Sequence, residues 1–546
     1  MKKRFVGLTI AVLALLAWSV VYPNASVVAG SFAHGLTDWR AFFSSPADHE
    51  ALINTIIISV ASVFASLAIG IPLAFLLTRF DFRGRRVMSA FATLPAALPP
   101  LVGVIAFLFL YGESGVVTRA VQHVFGLSRP PWTFTGLWAI VFVHAYTMYV
   151  YVFLFVSAGL ERYDASLDEA ASGLGASRTL RLARITLPLL TPSIIGSMLL
   201  VFMSALGSFS APYIFGGGIR VLSTQILTSK LDGSMGLAYV ETSMLALTAV
   251  IGLLVLRRVE RRREYAMAGK GRATRATVQS RGWRIAAPVL AALAVIFLIL
   301  PHAMVVLVSF ARDGTWTTQV LPPQYTLDNF RRLAVDPDLW QPITNSVSMA
   351  AIATAANVVF GLLAAYLLVL TRAPGRKLLG LLVALPWAIP ATAIALGLAA
   401  TFDRTSLATA RVLLVGTFWI LPLAYFIRNI PIVTNAIEGS LRQMDPTIED
   451  AARGLGASWW LAMRRVVLPA ARPGLVAGAM LASVAAVGEF VASIVLYTHS
   501  DRPISMEILS QLRGLSFGTA AAYSVLLIVL VLAITMGARW AEARMA

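Results

Sequence analysis

The 546-residue chain contains no cysteine. Disulfides and thiolate metal sites are excluded, and the redox state of its compartment leaves no mark on it. Charge is scarce too: 13% of residues are Asp, Glu, Lys or Arg, against about 25% in an ordinary soluble domain. The short alternating segments that a membrane barrel needs are missing. So is the phosphate-cradling pattern G-x-x-x-x-G-K-[ST]; the one Gly-Lys pair, Gly269-Lys270, is followed by Gly271. The chain therefore cannot grip a nucleotide in that manner. Its histidines, His34, His49, His123, His144, His302 and His499, are scattered rather than set at ligand spacing, which reads as surface or interface histidines and no metal site. Neither a nucleophile with its base nor a ligand cluster is present to suggest an enzyme buried in lipid.

What is there is apolar length. Hydrophobic residues make up 58% of the chain, in runs of the roughly 20 residues that a helix needs to cross a bilayer. Lipid forbids unpaired backbone, so these runs are helices. Twelve spans are expected, near 5–28, 51–78, 87–111, 135–158, 191–215, 237–257, 285–308, 343–370, 378–401, 412–430, 472–497 and 516–537. The fold class is an all-α polytopic membrane protein. The N-terminal stretch imitates a signal peptide, but losing it leaves the halves unequal, so it reads as an uncleaved first span.

The net charge of +18 is a matter of orientation. With both termini inside, most Lys and Arg fall in the inner segments, which is the positive-inside pattern. That bias accounts for the excess without nucleic acid.

Two phrases stand out: "DEAASGLGAS" from Asp168 and "EDAARGLGAS" from Glu449, at an offset of 281. Asp168–Pro192 and Glu449–Pro473 share twelve identical positions of twenty-five. The same offset carries Gly207-Ser208-Phe209 onto Gly488-Glu489-Phe490, while "LPAALP" (94–99), "LPWAIP" (385–390) and the pair Asn54/Asn345 keep an offset of 291. The difference requires net insertions in the first half. Two tandem modules of six spans follow, 1–256 and 285–546, joined by a basic tether over 257–284. An even span number gives both modules one orientation, as parallel repeats. The orientation puts both phrases on the cytoplasmic side.

Each phrase opens with capping-box spacing, Ser166 to Glu169 and Thr447 to Asp450. Paired alanines, Ala170-Ala171 and Ala451-Ala452, keep one face slim, and Gly173/Gly175 and Gly454/Gly456 end the helix. A short capped helix at the inner membrane face is shaped to be gripped. The spacing Glu169-Ala170-Ala171, Gly175, Ile185-x-Leu187-Pro188 resembles the signature of membrane subunits of binding-protein-dependent ABC importers. The second copy, Asp450-Ala451-Ala452, Gly456, Val466-x-Leu468-Pro469, departs by Asp for Glu and Val for Ile.

The resemblance covers essentially the whole chain. It implies a bacterial inner-membrane permease in which Asp168, Glu169, Ala170, Ala171, Gly173, Gly175 and Glu449, Asp450, Ala451, Ala452, Gly454, Gly456 form two coupling helices. One permease chain then works with two copies of a cytoplasmic ATPase subunit, which holds the ATP and Mg, and with an extracytoplasmic substrate-binding protein. This chain itself carries no cofactor. Single-chain twelve-span fusions resemble ferric-iron and thiamine permeases, and the stretch 207–226 is most similar to the ferric type; polyamine and phosphonate permeases share parts of it.

Along the path, Pro95, Pro99, Pro386 and Pro390 interrupt the third and ninth spans, as pathway or hinge residues or as simple kinks. Glu489, read within the eleventh span, is an expensive intramembrane acid, facing either the pathway or a polar neighbour; Ser208 is its counterpart. No basic residue is expected centrally in a span, which disfavours a fixed anion site. The rival class, an ion-coupled secondary transporter, wants several such acids, and Glu489 is the one clear case.

Overall fold

The computed structural model describes residues 5–97, 99–162, 165–261, 276–277, 281–316, 319–405, 409, 411–445 and 447–544. Eleven of its helices are long and apolar enough to cross a membrane, twelve when the bent pair Arg376–Ala388 and Ala391–Phe402 counts as one span. Among the described residues, strand structure is limited to a two-residue parallel pairing of Phe80–Asp81 with Ala276–Thr277 and an isolated bridge between Ala311 and Tyr325. The tether read over 257–284 lies mostly outside the described residues.

The repeat extends well past the sequence identity. Helix Pro46–Arg79 matches Pro337–Val369, and Pro100–Tyr111 matches Ala391–Phe402. Leu187–Leu206 matches Leu468–Val487, and Ser210–Phe215 matches Val491–Leu496. Even the single π-turns before the fifth and eleventh spans recur, at Leu182–Thr186 and Met463–Val467. The length difference falls between Tyr111 and Leu137, where helix Val116–Val124 stands. The described residues between Phe402 and Ile420 carry no helix there.

Five expected spans differ in their bounds or their course. The third span breaks after Arg85–Thr93 into a 3-10 turn, Leu94–Ala97, before Pro100–Tyr111. The ninth bends by 106° before Ala391. Prolines at both breaks remove the amide that would continue the helix. The tenth span is Ile420–Leu441 rather than 412–430; the apolar stretch before Ile420 misplaces it. The fifth and eleventh spans begin at Thr179 and Trp459 and stop at Leu206 and Val487, so Ser208 and Glu489 sit in breaks beyond the helices.

The halves exchange their first helices. The span Val6–Gly30 packs on the second half: Trp18 meets Phe402 edge-on at 5.1 Å and Phe5 meets Tyr366 at 5.6 Å. A Cβ on Gly397 would lie 3.0 Å from the Pro23 carbonyl oxygen. The seventh span, Arg281–Ser309, returns the exchange, with His302 Nδ1 3.1 Å from Tyr146 Oη of the first half. In lipid, such close contact rather than water exclusion holds helices together.

Candidate functional site

Each phrase folds as a short helix, Ala165–Gly173 and Thr447–Gly454. Gly175 and Gly456 take φ of +81° and +90°, a left-handed turn that glycine adopts without strain. Ala176 N–H donates to the Ala171 carbonyl at 3.0 Å, and Ala457 N–H to that of Ala452 at 3.1 Å. These are matching Schellman closures. Ser177 and Ser458 then accept from the amides of Leu180 and Leu461, at 3.3 and 3.2 Å, to start the next helix.

At the start of the second helix the structure differs from the expected capping box. Thr447 donates both its amide and its hydroxyl to Asp445 Oδ1, at 2.9 and 2.8 Å. Asp445 is the capping residue, and these bonds hold its carboxyl below the usual carboxylate range.

The two acids of each phrase divide their work. The first is a tether. Asp168 receives Arg79 at 2.7 Å, from the end of the second span, with Arg181 Nε at 3.5 Å. Glu449, buried, accepts the Tyr366 hydroxyl of the eighth span at 2.8 Å, with Arg453 at 3.8 Å. The second acid, Glu169 or Asp450, is exposed, as are Ala170 and Ala451; Ala171 and Ala452 are half-buried.

Between the glycines stand two residues that sequence reasoning passed over. Leu174 and Leu455 are each 90% exposed, with Leu167 and Ile448 about half exposed at the start of the same helices. A leucine this bare stands at the same place in both copies, 281 residues apart. The signal was the identical leucine in both copies of Gly-Leu-Gly. A Cβ on Gly173 or Gly454 would meet nothing within 4 Å among the described residues. Nothing described in this chain asks for a glycine there.

At the other end of the fifth and eleventh spans the halves meet in reciprocal fashion. A Cβ on Gly488 would stand 2.7 Å from Pro99 Cβ, and one on Gly207 would stand 3.8 Å from Pro390 Cβ. Phe209 meets Phe490 at 5.9 Å between centroids. The structure thus gathers Ser208, Glu489, Pro99 and Pro390 at one seam. Pro95 and Pro386 sit back in the preceding limb of each bend, in a 3-10 turn and inside a helix.

Each break is tied to the fourth helix of its own half by different chemistry. Ser208 Oγ lies 2.8 Å from His144 Nε2, and His144 Nδ1 lies 2.9 Å from Ser62 Oγ. In the second half Arg428, within Ile420–Leu441, donates to Glu489. The other Glu489 oxygen accepts the Ala492 amide at 3.0 Å. A basic residue does therefore lie inside a span, contrary to expectation, and it partners the intramembrane acid.

The short helices beyond each break are capped from the second span of the same half: Thr55 accepts from Leu222 N–H at 2.9 Å, and Ser346 from Ile504 N–H at 2.8 Å. His144 and His302 are buried, which puts them among the interface histidines, and no cluster of metal-binding side chains occurs among the described residues.

Comparison with known proteins agrees with this architecture. Residues 66–265 and 357–546 each match the family described as binding-protein-dependent transport system inner membrane component. A probable ABC transporter permease protein of Sinorhizobium fredii is 29% identical over 517 residues, covering 92% of this chain and 90% of that protein. A ferric transport system permease protein of Actinobacillus pleuropneumoniae is 26% identical over 549 residues, covering 98% of this chain and 78% of that protein. The sulfate transport system permease protein of Escherichia coli is 36% identical over 169 residues, 28% of this chain and 61% of that protein. The chain belongs to the family of binding-protein-dependent transport system inner membrane components, and it carries the family's domain twice in one polypeptide.

Proposed function

We propose that this ABC importer permease is worked from the cytoplasmic side through its two matched loops, each seated in a cleft of one ATPase subunit. The observation that carries the reading is the pair of bare leucine tips, Leu174 and Leu455, on helices tied by Asp168–Arg79 and Glu449–Tyr366 to the second span of each half. A tip exposed to bind and a base fixed to a long helix transmit a push. ATP binding draws the partner subunits together, the loops follow, and the seam at Phe209 and Phe490 opens outward; hydrolysis restores it. A substrate-binding protein delivers cargo at the outer face. The chain lacks the phosphate loop, so hydrolysis falls to the partner.

Ferric iron is the cargo favoured by whole-length likeness to a ferric permease; thiamine, polyamine and phosphonate remain the alternatives within the class. An ion-coupled carrier is disfavoured because Glu489, its natural coupling acid, is neutralised by Arg428.

Gly173→Phe with Gly454→Phe tests the docking. Open space surrounds both positions within the described chain, so the double variant inserts and folds normally. It loses co-purification with the ATPase, and with it ATP-dependent uptake of radioactive iron. An intact complex with the variant refutes the docking assignment.

A further inference from the structure

Charge is distributed unevenly around the seam. Lys230, near the end of helix Leu222–Leu231, crosses from the first half to the carbonyl of Val495 in the second. Arg513, at the matching end of Ile504–Arg513, crosses the other way and lies 5.5 Å from the centre of the Tyr213 ring. The two helices are related by the repeat, while the two cations occupy neighbouring rather than equivalent positions at their ends. A carbonyl and an aromatic face orient a cation without cancelling its charge.

At the break of the second half lies Arg428, 31% exposed, beside Glu489, 11% exposed. Glu489 stands between Gly488 and Phe490, both of which touch the first half. Its two oxygens are already engaged, by Arg428 and by the Ala492 amide. Glu507, on the same helix as Arg513, is matched by Arg502 at 2.9 Å. Among the described residues, no ion pair compensates Lys230 or Arg513 at the seam, and the more exposed member of the Arg428–Glu489 pair is also a cation.

We propose that the cargo crosses this seam as an anion, met in turn by Lys230, Arg513 and the open side of Arg428. The inference rests on the importer reading above and narrows its substrate class. A bare trivalent cation passing these groups is repelled at each, in surroundings where charges act more strongly than in water. The partners of Lys230 and Arg513 belong to the opposite half, so opening the seam takes the carbonyl from one and the ring from the other. Both cations are freed at the moment cargo passes. Fixed charges lining a pore select by sign in the same way. Iron, on this account, enters bound to an anionic ligand; a free oxyanion satisfies the same chemistry.

The test needs neither cargo nor ATPase. Phe209→Ala with Phe490→Ala removes the ring contact closing the seam, and the purified full-length permease is studied in planar bilayers under a potassium chloride gradient. The expected leak prefers chloride to potassium by about fivefold or more, and Lys230→Glu with Arg513→Glu in that background reverses the preference. Phe490→Ala alone serves if the double variant does not fold. A potassium-selective leak, a selectivity indifferent to charge reversal, or no leak from folded protein each overturns the proposal.

Failure of the importer reading shows separately, as absence of ATPase association in the parent protein. Sulfate, or iron as its anionic citrate complex, is then offered to the assembled importer: uptake of either supports the anionic class and tells the two sources apart. Accumulation of unchelated ferric ion alone contradicts it.

Discussion

The two halves solve one mechanical problem with different side chains. In the first, the break after the fifth span is held by the neutral series Ser208, His144 and Ser62. In the second, the break after the eleventh is held by an ion pair, Glu489 with Arg428. The backbone partners are unchanged: Ser223 donates to the Ser208 carbonyl at 2.7 Å and Ser505 to the Glu489 carbonyl at 2.8 Å. The repeat has kept the geometry of the break and let its charge drift. What matters at this position is that the break be fastened to the fourth helix; the means of fastening is free to serve another purpose, and in the second half it places a guanidinium beside the path.

That comparison is broken most forcefully by orphaning a charge. Glu489→Ala leaves Arg428 unpaired inside the bilayer and costs about 3 kcal/mol or more of stability, whereas Ser208→Ala removes a neutral bond worth about 1 kcal/mol. Thermal unfolding in detergent reads the difference. Glu489→Ser combined with Arg428→His and Ala353→Ser imitates the serine–histidine–serine series of the first half and recovers most of the loss; no recovery shows that the halves are not interchangeable here.

Close approach at the seam gives the next effect. Gly488→Ala drives a methyl to 2.7 Å from Pro99, while Gly207→Ala finds Pro390 at 3.8 Å. The first costs about 1–3 kcal/mol by overpacking and slows uptake; the second stays within about 0.5 kcal/mol. Equal effects contradict the asymmetry.

The loop tethers differ least. Tyr366→Phe strips buried Glu449 of a hydrogen bond, about 1–1.5 kcal/mol. Arg79→Gln weakens a partly exposed ion pair worth under about 1 kcal/mol. Both variants still bind the ATPase but spend more ATP per molecule imported, Tyr366→Phe more so.

Much of this was legible in the sequence. The doubled Gly-Leu-Gly phrase located both loops, since a left-handed glycine after a capped helix has a recognisable pattern. The prolines at 99 and 390 located the bends. Arg428 was missed because the apolar stretch before Ile420 drew the tenth span toward the N-terminus and left Arg428 near an apparent edge. The exchange of first helices was invisible because apolar helices in lipid carry no mark of which neighbour they meet. Leu174 and Leu455 were hidden in plain view, since leucine in an apolar chain signals nothing until its exposure is known.

The central claim is that two matched loops receive the motor. Since the chain has no cysteine, Leu174→Cys and Leu455→Cys can be introduced singly and crosslinked to a cysteine-reporting ATPase in native membranes. Efficient crosslinks from both positions, protected from impermeant reagents added outside, are predicted. Labelling of either cysteine from the outer face, or no crosslink from either position in a transport-active importer, contradicts the account.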